Sequence, residues 1–401
     1  MADLAYGDLT GSFPFLLPTR IEYGLGAAAR VSDEAAALGR RAFIVTDPGV
    51  LGAGLVEPAR VALEAGGLAP CVFAGVEANP RVETVDRAAA EAHEHSADVI
   101  IGIGGGSAMD TAKAVAVVAK YGGSILDYEG LDVVPGPTLP VVAVPTTAGT
   151  GSEVTLWAIV TDTVRRYKAP VGSFHMAPTV ALVDPLTTLS LPPAMTAGTG
   201  LDALTHAVEA YTARCSNPVS DALVLYAMEL IAANLEQAAR HGDDVEARSA
   251  VMLGSLLAGI GFGNADTAAV HSMAEAVGAH FDVPHGMANA IFLSYVMRHN
   301  LVAVPEKTAR IGRAMGLDER GLSTEEAAER AVAAVFALAR RLQIPSLGET
   351  GVGEDDLPQL AATAMMNLGT PDNPVEMDEK SFLALFAEAL RGSEPGAEAG
   401  E

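Results

Sequence analysis

Four side chains in the second half of the chain are of the types that bind divalent metal ions. Asp202 and His206 are four residues apart in a helical pattern, so both would project from one face of a helix. His271 lies in a helical pattern predicted to begin near Asp266, and His285 is predicted in a loop just before another helix. One carboxylate and three imidazoles suit Fe²⁺ or Zn²⁺ better than Mg²⁺ or Ca²⁺. An Asp/His pair on an alanine-rich helix is also typical of a solvated or core pair.

A glycine-rich segment has the composition of a phosphate-binding loop. Gly104, Gly105 and Gly106 follow a predicted strand, and Ser107 precedes a predicted helix. Consecutive glycines let backbone N–H groups approach a phosphate, and the helix N-terminus adds the positive end of its dipole. The segment departs from the G-x-G-x-x-G fingerprint because Ser107 stands where the last glycine should be. A tight strand-to-helix turn is the alternative explanation.

Two further segments predict contacts to a dinucleotide. Residues 144–153 follow a strand and are dense in hydroxyl-bearing and small residues, which favours a second cofactor loop at the carboxyl ends of the strands. Asp47 follows the strand residues 43–46, where a carboxylate can accept hydrogen bonds from a ribose 2′-hydroxyl and would repel a 2′-phosphate. A helix cap or turn former ahead of Pro48 explains Asp47 equally well.

The elements that must position these residues divide the chain in two. In the first half, predicted strands at 41–46, 69–73, 99–103 and 141–144 alternate with helices at about 56–64, 82–95 and 108–119. This alternation predicts a doubly wound parallel sheet, and the continuously apolar strands fit burial on both faces.

After a break at residues 191–193 the patterns are helical, at about 197–212, 218–239, 244–260, 266–279, 286–297, 324–341, 356–365 and 379–391. We therefore expect an α/β dinucleotide-binding domain over residues 1–190 and an all-α metal-binding domain over residues 191–401. The cleft between two such domains is the expected place for catalysis.

Composition excludes several classes of function. The 401 residues include 50 acidic and 25 basic side chains, for a net charge of −25, so we expect no nucleic acid or membrane partner. Two cysteines predict neither a disulfide framework nor a thiolate metal site. Residues 1–10 lack the pattern of a secretory signal, and no stretch of 18 apolar residues occurs. These features predict a soluble cytoplasmic protein.

Several segments resemble signatures of the iron-containing (group III) alcohol dehydrogenases, the family of lactaldehyde reductase and bacterial butanol dehydrogenases. The resemblance runs from about residue 20 to at least residue 300. It is carried by GGGSAMD at 104–110, PTTAGTGSEVT at 145–155, GLDALTHAVEAY at 200–211 and DVPHGMAN at 282–289.

The resemblance implies metal ligation by Asp202, His206, His271 and His285, with Fe²⁺ favoured and Zn²⁺ as the alternative. It implies contacts to NAD, in preference to NADP, from residues spread over the first half. These are Asp47 and Asn79 near the ribose; Gly104, Gly105, Gly106, Ser107 and Asp110 in the diphosphate segment; Thr146, Thr147 and Thr155 along the adenine or nicotinamide portion; and Leu182 near the adenine.

One position departs from the family pattern. Many members carry a further histidine four residues after the third metal ligand, where this chain has Glu275. Its carboxylate could act as a substrate or proton-relay group, orient a ligand histidine, or point to solvent. Glu275 and His285 are the candidate catalytic residues, and an ionised Glu275 would disfavour anionic substrates.

The resemblance implies reversible oxidation of an alcohol, with the metal as a Lewis acid and the nicotinamide as hydride acceptor, and Glu275 makes a small, non-anionic substrate the expectation. Two enzyme alternatives remain, a dehydroquinate-synthase-like lyase and a glycerol-dehydrogenase-like enzyme. The lyase would need basic residues for a polyanionic substrate, and residues 197–300 contain only four arginines. A catalytically silent NAD-binding protein is the third alternative. A homodimer or larger homo-oligomer is expected.

Overall fold

The structure, a computed structural model, describes residues 11–392. The prediction that residues 1–10 are not a secretory signal lies outside the described residues. The chain divides into two compact units. Among the described residues, one unit spans Leu17–Leu191, and the other comprises residues 192–392 together with residues 11–16. In this second unit, the backbone N–H of Leu16 donates to Asn264 Oδ1 at 2.6 Å, and Asn264 Nδ2 donates to the Leu16 carbonyl at 3.0 Å.

The unit over Leu17–Leu191 is built on a six-stranded, wholly parallel sheet in the order β1-β9-β6-β4-β2-β3. A second sheet has three strands in the order β5-β8-β7. The strands are β1 Arg20–Tyr23, β2 Arg41–Val45, β3 Ala69–Phe73, β4 Val99–Gly104, β5 Gly130–Leu131, β6 Val141–Pro145, β7 Trp157–Asp162, β8 Tyr167–Gly172 and β9 Val180–Val183. The α-helices are α1 Val31–Leu38, α2 Pro48–Gly52, α3 Glu57–Ala65, α4 Val82–Glu94 and α5 Gly106–Tyr121.

Helices cover both faces of the parallel sheet because successive strand side chains enter two different apolar clusters. Ile100 packs with Val85 and Val115 in one cluster, and Ile101 packs with Leu63 in the other. This is the arrangement that the continuously apolar strands predict. The four predicted strands and three predicted helices of this half are all present, with no end shifted by more than two residues.

The antiparallel pair β7 and β8 was not predicted from the sequence. Its connection places Val164 at the surface, 89% exposed, and holds Arg166 in the left-handed region at φ 50°. Lys168 interrupts the apolar pattern of β8, yet it is buried because its ammonium donates to Asn79 Oδ1 at 2.6 Å. A partner 89 residues away in sequence gives no local signal.

The second unit is helical over the described residues 192–392, apart from turns and short 3-10 segments. Its helices are α6 Pro193–Thr212, α7 Pro218–Arg240, α8 Val245–Phe262, α9 Ala269–Phe281, α10 His285–Asn300, α11 Pro305–Ala314, α12 Thr324–Arg341, α13 Leu357–Ala364 and α14 Glu379–Arg391.

Several details of this unit differ from the predictions, among them the start of α6, which lies at Pro193 and not near residue 197. Helix α11 was not predicted. Helix α9 begins at Ala269 and not near Asp266, and His285 is the first residue of α10 and does not lie in a loop. Asp282, at φ 56°, ends α9, and Pro284 is the N-cap residue of α10, so the helix begins at His285, one residue before the predicted start at residue 286.

Helices α7 and α8 are long and apolar enough to cross a membrane by length and composition. A core helix of a soluble protein meets the same criterion, and α6, α7 and α8 pack against one another. These two helices therefore carry no argument for a membrane.

Candidate metal centre and cofactor loops

Helix α6 supplies two side chains of the cluster of candidate metal ligands. It is buried almost continuously from Thr196 to its end. Asp202 and His206 project from one face, with exposed fractions of 1% and 4%. The ring of His206 stacks on Phe262 of α8, with centroids 4.2 Å apart and an interplanar angle of 18°. Packing between helices thus determines the orientation of this imidazole.

Helix α10 approaches α6 closely enough to add a third side chain. A Cβ atom at Gly286 would lie 2.7 Å from the Gly198 carbonyl oxygen and 3.1 Å from Asp202 Cβ, so only glycine permits this approach. The neighbouring His285 consequently has its Nε2 3.7 Å from Asp202 Oδ1.

The predicted metal ligands converge in space. Asp202, His206, His271 and His285 each offer one donor atom, and these four atoms lie within 4.8 Å of one another. His271 Nε2 is 2.9 Å from His206 Nε2. Asp202 Oδ2 is buried and has no hydrogen-bond partner among the described residues. A carboxylate oxygen left without a donor in the interior is costly, and a divalent cation among three imidazoles would satisfy it. The donor set therefore fits such an ion.

Two polar residues next to the ligands were not predicted. Glu209 Oε2 lies 2.5 Å from His271 Nδ1. Asn289 Nδ2 lies 2.6 Å from Asp202 Oδ1 and 3.1 Å from Nε2 of both His271 and His285. Helical spacing carried a signal for both, because Glu209 is three residues after His206 and Asn289 is four residues after His285.

The electrostatic surroundings favour positive charge at His271. Burial alone would lower the pKa of this imidazole, but the hydrogen bond and charge of Glu209 raise it above its ordinary value, with smaller contributions from Asp202 and Glu275. Glu275 is half-buried and accepts a hydrogen bond from Asn367 Nδ2 at 2.5 Å. The acidic side chains around the imidazoles therefore create a field that attracts a cation.

The glycine turn of the other unit packs against the threonine loop that follows β6. Gly104 has φ 156°, and a Cβ there would lie 2.6 Å from Ala108 Cβ. A Cβ at Gly106 would lie 2.6 Å from Thr150 Cγ2, and one at Gly105 would lie 3.2 Å from Thr147 Cγ2. A side chain at Gly105 or Gly106 would crowd the threonine loop, and one at Gly104 would crowd the start of α5, so packing as well as ligand approach accounts for these glycines.

Asp47 is a helix cap, as one of its two interpretations predicted. Its Oδ1 accepts from the Val50 backbone N–H at 2.9 Å at the start of α2. Its Oδ2 lies 3.4 Å from the position of a Cβ at Gly104, so the carboxylate also borders the glycine turn. The capping role leaves the ribose interpretation of Asp47 open.

The loop after β3 joins the same region. Ser107 Oγ donates to the Ala78 carbonyl at 2.6 Å, and the neighbouring Asn79 is buried against the Lys168 ammonium. Thr146, immediately after β6, donates its backbone N–H to the Gly104 carbonyl at 2.8 Å. Lys168 is a residue of this region that the sequence did not indicate.

Three of the predicted cofactor contacts have side chains engaged inside the protein. Asp110 accepts from Ser152 Oγ at 2.6 Å and from the Ile159 N–H at 3.0 Å, and it lies 3.2 Å from the Lys113 ammonium. Thr155 Oγ1 lies 3.4 Å from the same ammonium. Leu182 is fully buried in an apolar cluster of the sheet. These three side chains therefore pack beneath the loops inside the protein.

Comparison with known proteins covers both units. Residues 18–185 match the family model for iron-containing alcohol dehydrogenase, and residues 196–390 match the model for the C-terminal part of the Fe-containing alcohol dehydrogenase family. The 1,3-propanediol dehydrogenase of Klebsiella pneumoniae is 40% identical over 94% of this chain and 99% of its own length. The choline dehydrogenase of Bacillus subtilis is 39% identical over 92% of each chain.

A solved structure agrees with these relatives. A crystal structure of 1,3-propanediol oxidoreductase superposes with a TM-score of 0.92 at 40% identity, covering 94% of this chain and all of that one. The predicted fold class, a doubly wound parallel-sheet region followed by a helical region, is thereby confirmed, as is the predicted oxidoreductase class. From its sequence and its folded units, the chain belongs to the iron-containing alcohol dehydrogenase family.

Proposed function

We propose that this chain is a metal-dependent alcohol dehydrogenase that transfers a hydride between NAD(H) and a small, non-anionic alcohol or aldehyde. The observation that carries the proposal is the convergence of one carboxylate and three imidazoles, with a buried Asp202 oxygen that has no donor among the described residues. When bound, a divalent cation supplies Lewis acidity and NAD supplies the hydride acceptor.

The proposal assigns the four ligand roles to Asp202, His206, His271 and His285. Their donor set favours Fe²⁺, with Zn²⁺ as the alternative. His285 differs from the others because 31% of its side chain is exposed, against 5% or less for the other three. We therefore assign the His285 side of the cluster to substrate entry.

The cofactor role rests on the α/β unit. Backbone N–H groups of Gly105, Gly106 and Ser107, at the start of a helix of 16 residues, are suited to a diphosphate. Asp47 would accept from the ribose hydroxyls, which favours NAD over NADP. Asn79 would contact the ribose, with the buried Lys168 ammonium holding its side-chain oxygen in place.

The remaining predicted contacts take supporting roles in this proposal. Asp110 would act as a positioning residue, because it ties the Ser152–Val154 turn and β7 to helix α5. Thr146 and Thr147 lie beside the glycine turn and would contact the cofactor. Thr155 would support the threonine loop that follows β6, and Leu182 would support the neighbouring strand β9, from inside the protein.

The test is metal analysis of the purified protein together with NADH absorbance during reaction with a panel of alcohols and aldehydes. We expect roughly one Fe²⁺ or Zn²⁺ per chain, turnover that depends on it, and a preference for NAD. Protein that holds no divalent metal and turns over no member of the panel would support the catalytically silent alternative.

Glu275 is proposed to select among substrates by charge. It lies one helical turn from His271, and its charge contributes to the raised pKa of that imidazole. An acidic group at this distance repels a substrate carboxylate and attracts a cationic or neutral hydroxyl compound. The relatives' names include one dehydrogenase of a neutral diol and one of choline, a cationic alcohol.

The selectivity test compares kcat/KM for 1,3-propanediol, choline and a carboxylate-bearing alcohol in wild type and Glu275→Gln. We expect the variant to gain relative activity on the anionic compound by about 10-fold, which corresponds to about 1.4 kcal/mol. Asn367→Ala, which removes the donor to Glu275 but leaves the charge, is the matched control and should retain the discrimination. Unchanged ratios in Glu275→Gln would contradict this role.

We also propose a cytoplasmic homodimer or larger homo-oligomer. Light scattering coupled to size-exclusion chromatography measures the assembly directly, and a mass of one chain would contradict it.

A further inference from the structure

Glu209 connects the two helices that supply three of the four proposed ligands. It belongs to α6, together with Asp202 and His206, and its carboxylate is 3% exposed. One oxygen lies 2.5 Å from His271 Nδ1, and the other accepts the Val270 backbone N–H at 2.7 Å. A single carboxylate therefore contacts both the ring and the backbone at the start of α9.

The backbone contact replaces a missing helix cap. The residue before α9 is Ala268, which has no side chain that can cap the helix. The first N–H groups of a helix need acceptors, and the N-terminus favours negative charge. Glu209 supplies both requirements from a neighbouring helix, and the Val270 N–H prevents its carboxylate from rotating away from His271.

The ring contact determines which nitrogen of His271 is available. When the neutral imidazole donates Nδ1–H to Glu209, Nε2 carries no proton, and its lone pair faces the cluster 2.9 Å from His206 Nε2. A ligating histidine must present a nitrogen without a proton, and a carboxylate on the opposite nitrogen also raises its basicity.

We propose that Glu209 is a positioning residue that fixes the tautomer and orientation of His271 for metal binding. This inference rests on the proposed metal site. The amide of Glu209→Gln has one acceptor and two N–H donors, so it cannot accept from both Val270 N–H and His271 Nδ1–H. If its oxygen caps α9, its NH₂ faces Nδ1, which favours the tautomer with the proton on Nε2.

The experiment measures Zn²⁺ affinity of the metal-free full-length protein by competition with a chromophoric chelator, and the visible absorption spectrum of the Co²⁺ form. Glu209→Gln should bind Zn²⁺ about 10- to 100-fold more weakly and give an altered Co²⁺ spectrum. Thr212→Val is the matched control, because Thr212 is a buried polar residue of α6 whose hydroxyl donates within its own helix, to the Val208 and Glu209 carbonyls. It should behave as wild type.

Equal Zn²⁺ affinity and equal Co²⁺ spectra in wild type and Glu209→Gln would overturn the inference while leaving the metal site intact. Failure of the wild type to bind either ion would instead remove the proposed function. If Glu209→Gln lowers the stability of the metal-free fold, the same change is made in the His271→Ala background, which lacks the imidazole. A loss of stability that disappears in that background acts through the imidazole and supports the positioning role. A loss that persists there reflects helix capping alone and overturns the role.

Discussion

Two clusters of buried polar side chains, one in each unit, differ in how far the protein satisfies them. Around Lys113 in the α/β unit, the ammonium donates to the Ser152 and Trp157 carbonyls and faces Asp110, whose oxygens also accept from Ser152 Oγ and Ile159 N–H. Around Asp202 in the helical unit, the donor atoms point at one another, and one carboxylate oxygen has no partner within the described part of the chain.

The contrast distinguishes a buried polar cluster that stabilises the fold from one that could bind a ligand. Both clusters are buried and rich in titratable groups, so neither property identifies function. In the first cluster, charges and hydrogen bonds are matched within the protein, as buried polar groups normally are. In the second, four electron-pair donors converge on a space suited to a cation. We therefore expect changes in the first cluster to affect stability and changes in the second to affect metal binding.

Removing the charge of Asp202 provides the largest effect. In Asp202→Asn we expect kcat/KM to fall by at least about 10³-fold, because a metal Lewis acid contributes several kcal/mol to catalysis. The metal-free protein should melt near the wild-type temperature, since the amide oxygen can still accept from Asn289. Steady-state kinetics and calorimetry measure the two quantities. If Asp202→Asn instead lowers the melting temperature while its folded fraction keeps metal and activity, the assignment of Asp202 to metal binding and not to stability is wrong.

Replacing Lys113 should lower stability and leave metal binding unchanged, the opposite of the result expected for Asp202→Asn. Lys113→Met removes the ammonium that pairs with Asp110 and donates to two carbonyls, and breaking such a buried pair costs about 3 to 5 kcal/mol of unfolding free energy. Metal bound per folded chain should not change. Chemical denaturation and metal analysis give the two values, with Lys120→Met at a solvent-accessible site as control. Loss of metal at unchanged stability would contradict the assignment.

Glu153, beside this cluster, should make stability depend on pH. Burial raises its pKa to about 7 from an ordinary value of 4.5, although a backbone hydrogen bond and Lys113 act against the shift. The folded protein thus keeps a proton that the unfolded chain releases between pH 4.5 and 7. Stability from this group is fully present below about pH 4.5 and is lost as pH rises through about 7, by about 3 kcal/mol.

The check is the unfolding free energy of wild type and Glu153→Gln between about pH 4 and about pH 9. The difference between the two proteins should grow in favour of the variant as pH rises through this window. Glu94→Gln, at an exposed helix position, should run parallel to wild type. Parallel curves for Glu153→Gln would show that the carboxyl is ionised in the fold.

The smallest expected effect concerns cofactor choice at Asp47. Asp47→Asn keeps a side-chain oxygen to cap α2 but removes the charge that would repel a 2′-phosphate. We expect the NADP-to-NAD ratio of kcat/KM to rise by about 10-fold, or about 1.4 kcal/mol. Asp47→Ala should lose about 1 kcal/mol of stability as well, because the cap is removed. An unchanged ratio in both variants would restrict Asp47 to capping.

Prediction from the sequence succeeded where the signal was local. Apolar runs located β2, β3, β4 and β6 because strands buried on both faces are continuously apolar. Helical spacing alone placed Asp202 and His206 on one face of a helix. Prediction failed for β7 and β8, whose buried Lys168 depends on Asn79, and for α11, whose predominantly polar sequence lacks a long apolar stripe.

The amino-acid sequence was enough to identify the candidate metal ligands, the glycines that permit close approach and the family to which the chain belongs. The meeting of four donor atoms from three helices is visible only in the folded chain, because His271 and His285 lie far from α6 in sequence. The same holds for the contact of Glu209 with His271, the capping of α2 by Asp47 and the hydrogen bonds of Asp110 within the protein. Helical periodicity predicts which side chains share one face of a helix, but the side chains that they meet depend on which other helices pack against that face.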